Sequence, residues 1–386
     1  MTRLQTATLV SILAPLPVLA LWQPQPPKPL EPFKGVTADG TPVAGLFPVK
    51  ATGVTTKPVR EAAVRFLDGL TPEQRANAAF KVDDEQWRQW NNVHRAVRQG
   101  VSFKEMSEPQ RQLAHGLLKA SLSARGLENA RNIMRLNETI AELTKRFDEY
   151  GEFLYWMAIM GEPSDTAPWG WQLEGHHLIV NYFVLGDQVV MTPSFWGSEP
   201  VIAESGKYAG TKVLQEEQAL GVSLMASLTA EQRRKATIAP EKIRNDAQAQ
   251  AFRDNLVLSY AGLPATEMSD TQKHGLLDLI SIYVGNMPDG HAQVKMDEVR
   301  KHLDRTHFAW IGESGPEGVF YYRIHSPVIL IEFDHQTPVA LPGPRVPGRI
   351  HIHSVVRTPN GNDYGKDLLR QHYEKHKNDP AHGHPY

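Results

Sequence analysis

Apolar residues in this chain recur first at three- and four-residue intervals and later at two, and this change of period occurs twice. Pro72–Ala79, Asp84–Val97, Glu108–Ala124 and Asn129–Phe147 carry helix formers at helical spacing, with Leu113, Leu117, Ala120 and Ala124 on one face. Gly100 and Gly126 mark helix stops. The pattern then turns strand-like over Trp171–Leu173, Leu178–Leu185 and Gln188–Thr192, with Leu185-Gly186-Asp187-Gln188 as a hairpin turn. The second passage predicts helices over Ala230–Lys235, Glu241–Ala261 and Thr271–Asn286. Strands follow at Phe308–Ile311, Tyr321–His325, Val328–Phe333 and Ile350–Val356, and a closing helix at Asp363–Lys377. Helices segregated from antiparallel strands predict an α+β fold rather than a doubly wound sheet.

The two passages share wording as well as texture. Leu70-Thr71-Pro72-Glu73-Gln74-Arg75 is echoed by Leu228-Thr229-Ala230-Glu231-Gln232-Arg233, and Met106-Ser107-Glu108-Pro109-Gln110-Arg111 by Met268-Ser269-Asp270-Thr271-Gln272-Lys273. Gly161-Glu162 falls opposite Gly312-Glu313, and Leu178–Tyr182 opposite Ile329–Phe333. A Thr or Ser N-cap followed by an acidic first turn is a common helix start and explains one match. The shared order of the matches predicts an internal duplication, with halves at 57–210 and 211–377 packed as one compact unit.

The beginning of the chain reads differently. A short basic start at Arg3, an apolar stretch from Leu4 to Leu21 and small residues at Val18-Leu19-Ala20 predict a signal peptide over 1–20, cleaved after Ala20. Pro15 and Pro17 weaken the alternative of a membrane anchor, so no stable insertion is expected after cleavage. A proline-rich spacer over 21–56 follows, and the folded part is expected from near Lys57. Residues 378–386 read as a flexible tail. These features together predict export, to a periplasmic or extracellular destination.

Composition narrows the chemistry. A formal charge of -2 offers no electrostatic case for nucleic acid or anionic membrane. The absence of cysteine excludes disulfides, thiolate zinc sites and a cysteine nucleophile, leaving any metal to His, Asp and Glu. No phosphate-cradling glycine motif, nucleophile elbow or His-Glu-x-x-His helix is present.

Two histidine clusters stand out: His176-His177 ahead of Leu178-Ile179-Val180, and His351-Ile352-His353 ahead of Ser354-Val355-Val356. Residues two apart on a strand share a side, so His351 and His353 converge, whereas adjacent His176 and His177 diverge and only one is expected in a given site. Glu332 and Asp334 alternate with Ile331 and Phe333 and supply a ligand, an orienting carboxylate or a general base. Arg357 follows as a substrate anchor, and Asp363 and Tyr364 fold back over the site after the Pro359–Asn362 turn. Trp169 and Trp171 are candidates for an apolar pocket wall, with ordinary packing as the plainer alternative. His372, His376, His382 and His384 read as a frayed, solvated terminus. In the duplicated register His176 and His177 fall opposite Pro327 and Val328, so one asymmetric site between the halves is expected.

Pro168-Trp169-Gly170-Trp171 and Glu174-Gly175-His176-His177-Leu178 resemble the signature of the family catalogued as "domain of unknown function 3500". Ser123–Gly126, His307–Trp310, Tyr321–Ile324, Ile331–Asp334, His351-x-His353-Ser354-Val355 and Asp363-Tyr364-Gly365 extend the resemblance over nearly the whole chain after the spacer. It implies membership and no particular activity. One departure is His335, where members of the family often carry Asn.

Nitrogen and oxygen ligands in this pattern suit a divalent ion, zinc ahead of iron or copper. The leading expectation is an exported metal-dependent hydrolase of a small-molecule substrate. An iron or copper oxidoreductase and a noncatalytic ligand- or metal-binding protein are the alternatives.

Overall fold

The computed structural model describes residues 30–377, so the expected signal peptide, the first part of the spacer and the tail with His382 and His384 lie outside the described residues. The chain divides after Pro32. Of the first unit only residues 30–32 are described, without regular structure. The second unit begins at Phe33 rather than near Lys57, because Val36 and Phe47 are buried in its core and Thr37 bridges Val257.

The first half of this unit runs α1 (Lys57–Asp68), α2 (Pro72–Ala78), β1 (Ala79–Phe80), β2 (Val101–Ser102), α3 (Glu108–Ser121), α4 (Ala124–Thr144), β3 (Tyr155–Met160), β4 (Trp169–Gly175), β5 (Leu178–Leu185), β6 (Gln188–Val190) and β7 (Ser194–Ser198). The second runs α5 (Gln215–Ser227), α6 (Ala230–Ala236), β8 (Thr237–Ala239), β9 (Leu263–Pro264), α7 (Asp270–Val284), α8 (Asp289–Lys301), β10 (His307–Gly312), β11 (Phe320–His325), β12 (Leu330–His335), β13 (Ile352–Arg357) and α9 (Lys366–His376). No helix of the described residues is long and apolar enough to cross a membrane.

All thirteen strands join one mixed sheet, ordered β1-β3-β4-β5-β7-β13-β12-β11-β10-β8, with β2 on β3, β6 on β5 and β9 on β10. The fold is α+β. Its order reads alike from both edges: a two- or three-residue strand lies parallel to the first long strand, and antiparallel strands lead inward to the β7–β13 pair. The echoed sequence matches occupy equivalent structural places. Thr71 and Ser107 close capping boxes with Gln74 and Gln110, and Thr229 and Ser269 do so with Gln232 and Gln272. Within each half the two capping glutamines then bond to one another, Gln110 Nε2 to Gln74 Oε1 at 2.7 Å and Gln272 Nε2 to Gln232 Oε1 at 2.9 Å.

Central strands are buried on both sides, which is why β5, β12 and β13 are wholly buried along their length. On one face Trp169, Trp171, Tyr322, Phe333, Ile352 and Val356 pack against helix residues such as Phe66, Leu117, Ile133, Leu279 and Val299. The other face buries Ile179, Phe195, Leu330 and Val355 under Trp87, Trp90, Ala249, Tyr364 and Leu368. No long helix covers this second face. Irregular chain and α9 do so instead.

Two expected helices are absent, for the same reason. Asp84–Val97 forms only a short 3-10 turn at Glu85–Arg88, and Glu241–Ala261 forms no helix. Their backbone N–H groups donate to buried carboxylates of the sheet instead of to the carbonyl four residues back. Asn91 donates to Glu174, Asp246 and Ala247 to Asp334, and Gln248 and Ala249 to Glu332. Strands β3 and β7 and helices α1, α5 and α8 were not expected from the sequence pattern. His372 is buried within α9 rather than frayed.

Candidate metal centre

Gly175 pairs with Leu178 across the β4–β5 hairpin, so His176 and His177 are its two-residue turn and not strand residues. His177 sits at φ 63, a left-handed conformation uncommon outside glycine. Backbone bonds fix it there: its N–H donates to the Asn92 carbonyl at 3.2 Å, and its carbonyl accepts from Gly197 N–H at 2.8 Å. Gly197 lies on β7, directly between this turn and His353 of β13. A Cβ there would come within 2.7 Å of the Ile352 carbonyl and 3.3 Å of His353 Cδ2, so glycine keeps the gap between the two strands open for imidazoles.

Three rings converge across this gap. His177 Nε2 lies 3.1 Å from His351 Nε2, which lies 2.9 Å from His353 Nε2. All three residues are buried, and their ligand-capable nitrogens lie within 4.8 Å of one another.

The far sides of two rings decide where their protons are. His351 Nδ1 lies 2.9 Å from the Thr337 carbonyl, which can only accept, so Nδ1 carries the hydrogen. His353 Nδ1 donates likewise to Gln250 Oε1 at 3.2 Å. Their Nε2 lone pairs therefore point at each other. Two lone pairs at 2.9 Å repel unless a positive charge sits between them. Burial disfavours the charged imidazolium at all three rings, pulling the His177 and His353 pKa values well below normal and lowering that of His351. A divalent cation fits: at metal–nitrogen bonds of about 2.05 Å, tetrahedral ligand nitrogens stand about 3.4 Å apart, a few tenths of an ångström wider than here.

A polar shell orients these rings. Glu199 Oε2 stands 3.5 Å from His351 Nδ1 while its carboxylate accepts from the N–H groups of Val339, Ala340 and Leu341, fixing the loop that carries Thr337. His176 does not join the three. Its ring stacks on His177 at 3.9 Å, and its Nδ1 is 2.8 Å from Asn137 Oδ1. His94 continues the row, 5.6 Å from the His176 ring centre with its Nε2 3.3 Å from Glu149. Nothing in the local sequence marked Asn92, His94, Asn137, Gly197, Glu199 or Gln250, since each matters only through its partner in space.

The structure places the other sequence candidates in supporting positions. Glu332 is fully committed, accepting from Gln248 N–H at 3.0 Å, Ala249 N–H at 2.7 Å and Tyr321 O–H at 2.6 Å. Asp334 accepts from Asp246 and Ala247 N–H and from Gln336, and lies 3.0 Å from Lys242 Nζ. Burial raises its pKa to about 7 against the pull of that lysine. Arg357, fully buried, donates to the carbonyls of Ala249 and Gln250 and pairs with Asp254 and Asp363 at 2.9 and 3.1 Å. No donor of that guanidinium is directed at the histidines. What these three residues do together is clamp residues 246–250, the segment whose last side chain holds His353.

Asp363 also accepts from Thr358 N–H, and Tyr364 O–H donates to Asp254, so both belong to the Arg357 cluster. Trp169 and Trp171 are fully buried in the helix-side core, Trp171 stacked on Tyr182 at 5.2 Å, and neither borders the histidines. His335 accepts from Phe320 N–H through Nδ1 and meets Gln218 Oε1 through Nε2, a closed structural role.

Residues 52–366 match the family model described as "Protein of unknown function (DUF3500)". No curated protein matches the chain. No solved structure matches it either.

Proposed function

The chain belongs to the family described as "Protein of unknown function (DUF3500)", a membership that brings no reaction with it, and we propose from the site itself a divalent-metal protein. His177, His351 and His353 are the ligands. The supporting observation is the 2.9 Å approach of two Nε2 atoms whose rings are both tied through Nδ1–H. Three neutral imidazoles with a position left for water or substrate are the usual donor set of catalytic zinc, so zinc is assigned ahead of iron or copper. Such an ion would supply Lewis acidity for hydrolysis of a small-molecule substrate.

The protein's own part is to hold the three rings neutral, fix the tautomers of His351 and His353 through Thr337 and Gln250, and exclude bulk water. Because Glu332, Asp334 and Arg357 are committed to the 246–250 clamp, this reading assigns them to positioning rather than to proton transfer or substrate binding. It also includes export with cleavage after Ala20, supported by the apolar stretch from Leu4, and origin by duplication, supported by the matched caps and the two-edged strand order. Elemental analysis of the purified protein tests the core claim. About one equivalent of zinc per chain is expected, lost in the His351→Ala, His353→Ala double variant. Iron or copper in its place would select the redox alternative, and no metal in either sample would end the reading. Mass spectrometry of the exported protein, with a mature terminus at Leu21, tests the cleavage.

A further inference from the structure

On the helix side of the sheet lies a cavity of about 310 Å³, a second feature distinct from the histidines. Strand β13 separates the two: Val356 lines the cavity, while Val355 and, by strand alternation, His353 face the other way. The floor is apolar, formed by Met191, Met287, Ile329 and Val356. Helix α8 provides the opposite wall.

The charges on that wall are unevenly matched. Of its carboxylates, Glu298 accepts from Lys295 at 2.6 Å and Asp297 from Arg300 at 2.8 Å. Lys50 and Lys301 also line the cavity, are exposed, and have no ion pair among the described residues. The unmatched charge at the rim is therefore positive. His291 adds an incomplete polar group to the same wall: one ring nitrogen bonds the Asp187 carbonyl at 3.1 Å, while the buried Nδ1 has no partner among the described residues.

We propose that this cavity binds a small amphipathic anion, its apolar body on the Met191, Met287, Ile329 and Val356 floor and its acidic head at Lys50 and Lys301. The volume is at the scale of small-molecule sites, and an apolar lining with few polar anchors is their usual construction. The proposal does not depend on the metal.

Calorimetric titration of the full chain with decanoate, decylammonium and 1-decanol, each below its aggregation threshold, tests it. Decanoate is expected to bind at least about tenfold more tightly than decylammonium, which carries the opposite head charge. A Lys50→Gln, Lys301→Gln double variant should erase that preference and leave 1-decanol binding unchanged. Both side chains are exposed, so this variant reads the head group without disturbing the core. Val356→Trp, which fills the cavity, should weaken decanoate by about tenfold or more. Equal binding of decanoate and decylammonium by the unaltered protein would overturn the proposal, as would decanoate affinity undiminished by Val356→Trp. Chelator-treated protein should bind decanoate as before. Loss of binding on chelation would place the ligand at the histidines instead and likewise overturn it.

Discussion

His353 depends on one side chain for its tautomer, the Gln250 amide at 3.2 Å. Gln250→Leu leaves Nδ1–H without that acceptor and frees the ring to rotate. Loss of such an outer partner typically costs about 10- to 100-fold in metal affinity. Competition against a chromogenic chelator should show a weakening of that order for zinc, and a change below about twofold would remove Gln250 from the assignment. His335 allows a separate test by pH. Burial, helped by Arg349 and Lys242, brings its folded pKa down to about 3 from an ordinary 6.5. As pH falls through that window the unfolded chain takes up a proton that the folded one refuses. The stability it contributes is therefore complete above 6.5 and drains away towards 3. Replacing His335 with Asn should flatten the acid loss of stability by about 1.4 kcal/mol per pH unit inside the window, read from urea midpoints. At this scale the sequence was legible where residues act through their spacing. His351 and His353, two apart, do point together. His177 was found as a residue but placed on a strand, because a histidine at positive φ in a hairpin turn has no signature in an apolar–polar pattern.

Residues 246–250 form an element held by its surroundings. Four of their N–H groups and two of their carbonyls end on Asp334, Glu332 and Arg357, side chains of the adjacent strands. Glu332→Ala would leave the buried Ala249 amide and Tyr321 hydroxyl without their acceptor and free the part-buried Gln248 amide, at a cost of about 2–5 kcal/mol. The local readout is faster hydrogen exchange across 246–250 together with weaker zinc binding, since Gln250 moves with its segment. Loss of stability with unchanged zinc affinity would separate the clamp from the metal centre. The same physics explains why this stretch and 84–97 read as helices in the sequence. Helix formers and helical spacing were present, but carboxylates distant in sequence, Glu174, Glu332 and Asp334, took the backbone donors. Propensity measures the local bid for those hydrogen bonds, not a competing one from elsewhere in the fold. Glu332 and Asp334 were singled out for alternating with Ile331 and Phe333; their burial was not legible in that pattern, and their charge serves the loop above them.

For the molecule as a whole, much of the α+β plan was readable, because the period switches from helix to strand twice and the caps at Thr71, Ser107, Thr229 and Ser269 recur with it. The single sheet was not, since nothing local in Phe195-Trp196-Gly197 announces a strand that pairs with β13. Nor was the covering of the second face, which loops provide. The β7–β13 pair is where the two half-sheets meet, and His177 stands on one side of that seam with His351 and His353 on the other. An ion shared by the three rings would thus work as a rivet, giving each half a stake in the other's integrity. Scanning calorimetry should then show one endotherm for the zinc-loaded protein, and chelation should broaden it or split it in two. An unaltered single peak after chelation would mean that the seam is welded by its backbone alone, and that the rings meet there for chemistry rather than for strength.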